Sequence, residues 1–333
     1  MIQGLHHITL ISSNAQRTVD FYTQVLGLRL IKKTVNFDDP GSYHLYFGDE
    51  MGRPGTAVTF FEWPNAPRGN PGIGGTLHFA LRVADRAGLV KWQRRLEDMR
   101  VPVQGPFEHD AFASITFNDP DGTRLEIVTD STILADVPAR SAWGQPVPEI
   151  TRDMSLERGM HHITAISSNI ERTHAFYNGL LGMERVAVHS GDSNSAHWYW
   201  GVEGGRPGTL ITYIERDPRR EPRARYGAGQ THHFALAVPD AETQLEWRAK
   251  LVGAGLRVSP VMDRIYFKSI YTNDPDGHIV EFATLGPGFA VDEEVSALGT
   301  GLKLPPWLER YRAEIETSLA PLNTPAWHAL EPA

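Results

Sequence analysis

The chain repeats its own sequence at a constant distance of 155 residues. His162 follows His7 at this distance, and His233 follows His78. The same offset relates three longer pairs of segments: 5–9 and 160–164, 76–81 and 231–236, and 118–122 and 273–277. An offset held through separated motifs is typical of a tandem duplication. The 333 residues are therefore expected to form two copies of one fold followed by a C-terminal extension.

A weaker repeat divides each half of the chain into two quarters. The distance from His7 to His78 is 71 residues, and that from His162 to His233 is the same. Each quarter opens with a short apolar strand that carries a histidine. A helix follows, and then come segments in which aromatic and β-branched residues alternate with polar ones. We therefore predict an α+β fold of four strand-helix-strand-strand-strand (βαβββ) modules.

Residues that commonly cap helices precede three of the predicted helices. Asn14 precedes the first helix, Asp85 the second and Asp240 the fourth. Such side chains accept a hydrogen bond from the free amides of a first helical turn. The predicted apolar faces comprise Leu89, Trp92 and Leu96 in the second helix, and Leu245 and Leu251 in the fourth.

The duplication and shifts in composition suggest where the units of the chain begin and end. We predict an N-terminal domain over 1–131, a proline-containing linker over 132–155, a C-terminal domain over 156–285 and a helical tail over 286–333. Apolar residues recur at every fourth position of the tail, as an amphipathic helix requires: Trp307, Tyr311, Ile315 and Leu319. This helix is expected to pack over the repeats or to form a contact in a homodimer.

Composition excludes several classes of protein. No apolar run approaches the roughly 20 residues that a membrane helix needs, and the first residues lack the layout of a signal peptide. The net charge of -8 disfavours a general affinity for nucleic acid. The chain has no cysteine, which removes disulfides and thiolate metal sites. We expect a cytoplasmic protein that binds neither membrane nor nucleic acid.

Each half of the chain offers two histidines and one glutamate at matching positions. The first set is His7, His78 and Glu126, and the second is His162, His233 and Glu281. The two glutamates lie within apolar strands, where a carboxylate is costly to bury unless it is paired or bound to metal. Two histidines and one carboxylate form the ligand set of non-haem Fe(II) oxygenases. The alternative is that these residues are hydrogen-bonded structural groups at the ends of strands, but their duplication at constant spacing favours metal sites.

The order of these motifs resembles the vicinal oxygen chelate superfamily, whose glyoxalases, extradiol dioxygenases and bleomycin-resistance proteins are built from paired βαβββ modules. The shared motifs are Leu-His-His-Ile-Thr at 5–9, His-Phe-Ala-Leu at 78–81, and Asp-Pro-Asp-Gly with its following glutamate at 119–126. Segments 32–36, 38–41, 43–46 and 59–64 further resemble the hydroquinone-type ring-cleaving dioxygenases. The resemblance covers about residues 4–285 and implies two tandem glyoxalase-like domains.

The resemblance implies which residues hold a metal ion. In the hydroquinone-type enzymes the first module pairs with the fourth, so the ligands would be His7, His233 and Glu281. The residues themselves do not decide between His7 and His162, because both lie in the same His-His-Ile-Thr context. The remaining residues, His78, Glu126 and His162, are then expected to be a pseudo-site or alternative ligands.

Residues around the fourth module are implied to act on the substrate. Tyr271, His232 and Arg264 would be catalytic, and His6 and Thr9 would contact the substrate. The positions 155 residues before the catalytic three hold Thr116, Leu77 and His109. The fourth module is therefore expected to be the one equipped for chemistry.

We accordingly expect an Fe(II)-dependent dioxygenase, with Mn(II) as an alternative metal, that uses O₂ to open the ring of a hydroquinone or related phenol. A catechol-type extradiol dioxygenase using His162 is a second possibility, and a metal-free small-molecule binding protein is a third. A glyoxalase is disfavoured because Thr59 and Thr212 stand where such enzymes supply a fourth ligand. Glu62 and Glu215, three residues further on, are expected to face the other way.

Overall fold

The computed structural model describes residues 1–109, 112–129, 147, 149–190 and 196–325. It contains the four predicted βαβββ modules. The first module comprises β1 (Gly4–Ser12), α1 (Ala15–Asp20), β2 (Arg29–Asn36), β3 (Asp39–Gly48) and β4 (Ala57–Glu62). The second comprises β5 (Thr76–Val83), α2 (Arg86–Asp98), β6 (Val103–Glu108), β7 (Ala113–Asn118) and β8 (Arg124–Thr129).

The second half of the chain repeats this order. The third module comprises β9 (Met160–Ser167), α3 (Ile170–His174), β10 (Glu184–Ser190), β11 (Ala196–Gly201) and β12 (Leu210–Glu215). The fourth comprises β13 (Thr231–Val238), α4 (Ala241–Gly253), β14 (Met262–Asp263), β15 (Lys268–Asn273) and β16 (Ile279–Thr284). A short helix, α5 (Arg312–Ser318), follows in the tail. None of the helices within the described ranges is long and apolar enough to cross a membrane.

The modules pair across the two halves of the sequence to form two eight-stranded sheets. The first sheet joins the first and fourth modules in the order β14-β15-β16-β13-β1-β4-β3-β2. The second joins the third and second modules in the order β10-β11-β12-β9-β5-β8-β7-β6. Each half of the chain therefore contributes one module to each sheet. Residues 132–146 and 148 of the predicted linker lie outside the described residues.

The opening strands of paired modules run antiparallel at the centre of each sheet, and each of them carries a β-bulge. Where β1 pairs with β13, the register skips His6 on one strand and His232 on the other. Where β5 pairs with β9, it skips Leu77 and His161. A bulge changes the direction in which neighbouring side chains point. In all four strands the extra residue immediately precedes a candidate ligand histidine.

The predicted helix caps are present. Asn14 accepts a hydrogen bond from the amide of Arg17 at 2.8 Å, and Asp85 and Asp240 cap α2 and α4 in the same way. The prediction for the buried face of α4 is only half right, because Leu245 is 55% exposed while Leu251 is buried. Gln244 takes the inner position, where its amide nitrogen donates to the carbonyls of Lys268 and Phe282.

The tail packs along the outer strands β2 and β3. The side chain of Lys32 is fully buried, and its ammonium group pairs with the carboxylates of Asp292 and Glu293. The predicted helical segment of the tail is short: a 3₁₀ turn over Glu309–Tyr311 leads into α5, which ends ahead of Pro321. Proline disfavours the helical conformation in the residue before it.

Candidate metal centre

The residues of the first site are His7, His233 and Glu281, and pairing within the first sheet aligns them. His7 on β1 and Glu281 on β16 are both in register with Ala235 on β13, one on each side of it. Residues in register across a sheet share a face, and His233, two positions before Ala235, lies on that same face. Ala235 is small, which leaves the space between the three larger side chains open.

The three candidate ligand atoms converge closely. Nε2 of His7 lies 3.3 Å from Nε2 of His233 and 3.3 Å from Oε2 of Glu281. Nε2 of His233 lies 2.9 Å from the same carboxylate oxygen. All three side chains are buried. They form one of the groups in the described part of the chain that could hold a metal ion.

Hydrogen bonds behind the histidines fix which ring nitrogen of each faces the centre. Nε2 of His6 lies 3.2 Å from the carbonyl oxygen of Thr284, which can only accept, so this nitrogen carries the proton. Nδ1 of His6 is then an acceptor for the Nδ1–H of His7, 2.9 Å away. This arrangement leaves the Nε2 lone pair of His7 free to bind a metal. Nδ1 of His233 has a similar neighbour in Nδ1 of His232, at 2.7 Å.

Glu281 is held by a serine from the neighbouring strand β15. The hydroxyl of Ser269 donates to Oε1 of Glu281, while Oε2 is buried and has no hydrogen-bond partner of good geometry. Burial alone would raise the pKa of this carboxyl, but His7 and His233 hold that pKa well below its usual range. Burial also lowers the pKa of His233. Two imidazoles and one carboxylate, with their ligand atoms converging on one point, fit a divalent transition-metal ion.

A small cavity opens in front of these ligands. Residues from the first and fourth modules line it: Asn36, Phe37, His44, Tyr46, Phe61, Arg264, Phe267 and Tyr271. Phe267 packs against His7 with ring centroids 5.1 Å apart. The cavity therefore combines aromatic walls, suited to a flat ring, with a few polar groups that can hold its oxygen substituents.

Arg264 and Tyr271 form a polar pair on one flank of the cavity. Nε of Arg264 donates to the hydroxyl of Tyr271 at 3.3 Å, and its Nη1 donates to Asp38 at 3.2 Å. Burial, followed by the negative charge of Glu281, raises the pKa of Tyr271 above its ordinary value. Burial opposes the charge of Arg264, yet Tyr271 and Asp38 raise the pKa of its guanidinium overall. The pair therefore presents a neutral phenol beside a permanent cation.

A chain of hydrogen bonds reaches the opposite flank of the cavity. The hydroxyls of Thr9 and Thr59 lie 2.8 Å apart, and that of Thr59 lies 3.1 Å from Nε2 of His44. Nδ1 of His44 lies 3.0 Å from the hydroxyl of Tyr46. Burial, with His233 and His7 nearby, lowers the pKa of His44 well below its ordinary value. Thr9 is thus connected to the cavity through the side chains of Thr59 and His44.

The structure separates the residues implied by the resemblance into two layers. Arg264 and Tyr271 line the cavity together with the three ligands. His6 and His232 instead contact the ligand histidines from behind, as the bulges direct them. Ser269 and His44 were not among the site residues predicted from the sequence, although Ser269 contacts Glu281 and His44 lines the cavity. His44 and His197 lie 153 residues apart on corresponding strands of the two halves, and this correspondence was the available signal for His44.

The residues of the second site are His78, His162 and Glu126, and they form a matching group in the second sheet. Nε2 of His78 and Nε2 of His162 each lie 3.3 Å from Oε2 of Glu126. Ala80 stands between His162 and Glu126, as Ala235 does in the first site. His162 therefore accompanies His78 and Glu126 rather than His233 and Glu281.

The glutamates considered for a glyoxalase site have another role in the structure. Glu62 accepts a hydrogen bond at 2.8 Å from the amide of Ala15 at the start of α1. Glu215 accepts one at 3.0 Å from the amide of Ile170 at the start of α3. Both carboxylates thus satisfy helix amides and belong to neither group of candidate ligands.

Comparison with known proteins identifies the family. The sequence model of the Glyoxalase/Bleomycin resistance protein/Dioxygenase superfamily matches residues 4–127 and again 159–282. The chain belongs to this superfamily. The two matches also agree with the predicted duplication and with the tandem glyoxalase-like fold.

Relatives along the full length place the chain among the ring-cleaving dioxygenases of that superfamily, as the sequence motifs predicted. It is 37% identical over 320 residues to the "Putative ring-cleaving dioxygenase MhqO" of Bacillus subtilis, covering 96% of each chain. It is 32% identical over 327 residues to the "Chlorohydroquinone/hydroquinone 1,2-dioxygenase" of Sphingobium indicum, covering 97% of each chain.

Solved structures agree with the fold. A crystal structure described as a dioxygenase from Bacillus subtilis superposes with a TM-score of 0.86 at 36% identity, covering 98% of this chain and 99% of the other. Glyoxalase I from Zea mays superposes with a TM-score of 0.61 at 16% identity, covering 84% of this chain and 92% of the other. The second similarity concerns the fold alone.

Proposed function

We propose that the protein is an Fe(II)-dependent, cytoplasmic dioxygenase that opens the ring of a hydroquinone or related phenol and incorporates both atoms of O₂. The observation that carries this proposal is the buried set of His7, His233 and Glu281 beside an aromatic-walled cavity. The full-length similarity to a hydroquinone 1,2-dioxygenase supports the choice of substrate class.

His7, His233 and Glu281 would hold the iron. When bound, Fe(II) supplies the redox chemistry through which O₂ reacts with an electron-rich phenol. Three protein ligands leave coordination positions for both substrate and O₂, whereas a fourth carboxylate ligand would occupy one of them. The helix-capping roles of Glu62 and Glu215 are consistent with this three-ligand arrangement.

The arrangement of polar groups in the cavity favours a substrate with hydroxyls at opposite ends of its ring. Tyr271 lies on β15 and His44 on β3, on opposite flanks of the central strands β13 and β1. Phe61 and Phe267 supply apolar surface in the same cavity. A hydroquinone could place one hydroxyl at the metal and the other against a polar flank, whereas a catechol carries both on one edge.

Tyr271 and Arg264 would act on the reacting oxygen atoms. The raised pKa of Tyr271 keeps its phenol protonated near neutral pH, so that it can donate a hydrogen bond or a proton to an oxyanion. Arg264 remains charged, and it can stabilise negative charge that develops as the ring opens. His6 and His232 would orient the ligand imidazoles, since each contacts a ligand rather than the cavity.

The decisive experiment is anaerobic loading with Fe(II), followed by oxygen-uptake assays with hydroquinone, catechol and a glutathione hemithioacetal. We expect uptake of one O₂ per ring opened with hydroquinones. Catechol would be the better substrate if the protein is a catechol-type enzyme, and turnover of the hemithioacetal without O₂ would identify a glyoxalase. Absence of oxygen uptake with every phenol, despite bound iron, would contradict the proposal.

A further inference from the structure

We propose that the second site, formed by His78, His162 and Glu126, binds a divalent transition-metal ion of its own, and that this ion has a structural role. The inference concerns metal binding and does not depend on the proposed ring cleavage. As in the first site, the three candidate ligand atoms all lie within 4.8 Å of one another.

The local construction of the second site repeats that of the first. Nδ1 of His162 lies 2.9 Å from Nδ1 of His161, the same distance that separates His7 from His6. The ring of Phe112 packs 5.2 Å from that of His161, much as Phe267 packs against His6. The second site therefore retains both the histidine that contacts a candidate ligand from behind and the aromatic ring that packs against that histidine.

Burial gives the second site a physical reason to hold a cation. Glu126 is only 6% exposed and His162 only 2%. A carboxylate that is removed from water needs a hydrogen-bonded partner, an opposite charge or a metal. Nε2 of His78 and Nε2 of His162 each lie 3.3 Å from Oε2 of Glu126. A divalent cation bound between the two imidazoles and the carboxylate would be such a partner.

One difference predicts that the second site binds metal more weakly. Leu77 stands where the fourth module has His232, and Nδ1 of His78 is buried without a hydrogen-bond partner. Outer partners of a ligand imidazole commonly change metal affinity by about 10–100-fold. The side chain of His78 is also 15% exposed against 5% for His233. We therefore expect an ion that exchanges more readily than the one in the first site.

Other differences argue against ring cleavage at the second site. The positions of Arg264 and Tyr271 are taken by His109 and Thr116. Nε2 of His109 lies 3.1 Å from the hydroxyl of Ser114, whereas Arg264 contacts Tyr271. The second site thus lacks counterparts of the Arg264 guanidinium and the Tyr271 phenol at these two positions. The second ion would instead join β5 and β8 of the first sequence half to β9 of the second half.

The test isolates the second site with the Glu281→Gln variant of the full chain and uses Zn(II) as the probe. We expect this variant to bind about one Zn(II) per chain in equilibrium dialysis, and its melting temperature to rise when Zn(II) is added. Glu126→Gln in the same background should abolish both effects. Leu77→His in that background should tighten binding by about 10–100-fold, because it restores a partner for Nδ1 of His78.

Two outcomes would overturn the inference. The first is a folded Glu281→Gln protein that binds no Zn(II) while the wild-type protein does. The second is Zn(II) binding that persists unchanged in the Glu281→Gln/Glu126→Gln protein. The single variant Glu126→Gln is the matched control for folding, because it should retain the metal of the first site and lose only the second ion. Circular dichroism of each variant checks that the chain has folded.

Discussion

The Nδ1 atoms of His6 and His7 lie 2.9 Å apart, and the carbonyl of Thr284 fixes the proton on the far side of His6. The bulge at His6 makes this contact possible, since strict alternation would place two consecutive side chains on opposite faces of the sheet. We therefore expect His6 to act on the candidate metal centre through His7.

Replacing His6 by phenylalanine should weaken Fe(II) binding by about 10–100-fold, because Nδ1 of His7 loses its acceptor. Competition with a chelator measures this change under anaerobic conditions. His161→Phe is the matched control in the second site and should leave the affinity of the first site unaltered. Unchanged iron affinity in His6→Phe would show that the contact does not orient the ligand.

Replacing Tyr271 by phenylalanine should lower kcat/KM for a hydroquinone by about 10²–10⁴-fold, as expected for a lost proton donor. The iron content should stay the same, because phenylalanine keeps the ring that packs against His233 and removes only the hydroxyl that contacts Arg264. Iron analysis alongside steady-state oxygen uptake separates these effects. Tyr311→Phe, which alters an exposed tyrosine of the tail, serves as the control. A Tyr271→Phe enzyme with wild-type kcat/KM would remove Tyr271 from the mechanism.

Replacing Ala235 by leucine should abolish iron binding while the fold persists. Ala235 lies in register between His7 and Glu281, so a larger side chain would project into the space between the ligands. Ala80→Leu makes the equivalent change in the second site and should leave iron in the first. Metal analysis of both purified variants provides the measurement. Full iron occupancy in Ala235→Leu would contradict the proposed position of the ion.

Replacing Lys32 by methionine should reduce the free energy of unfolding by about 3–5 kcal/mol, because the carboxylates of Asp292 and Glu293 lose their buried partner. Urea denaturation of the metal-free protein measures the loss. The variant Lys32→Met/Asp292→Asn/Glu293→Gln should recover most of it by removing the uncompensated charges. A loss below about 1 kcal/mol in the single variant would mean that this pair does not anchor the tail.

The parts of the structure that could be predicted are those encoded locally or by repetition. Asn14, Asp85 and Asp240 mark helix starts because capping depends on residues only three positions away. The duplication identified two sets of two histidines and one glutamate as candidate metal ligands. Strand pairing between modules depends on contacts between residues far apart in sequence. The sequence alone therefore could not decide whether His7 or His162 lies beside His233 and Glu281.

Local side-chain packing accounts for the other differences. Gln244 rather than Leu245 faces inward because two backbone carbonyls are available to its amide. The role of Ser269 could not be predicted locally, because it depends on Glu281 lying on the adjacent strand. The bulges at His6 and His232 allow each of these residues to contact the ligand histidine that follows it, which strict strand alternation would prevent.

We propose that the first and fourth modules together build the oxygen-activating centre. The most direct measurement compares oxygen uptake with a hydroquinone by His7→Ala and His162→Ala, each loaded anaerobically with Fe(II). We expect His7→Ala to lose activity and its first-site iron, and His162→Ala to retain hydroquinone turnover close to the wild-type rate. Loss of turnover in His162→Ala with full activity in His7→Ala would contradict it.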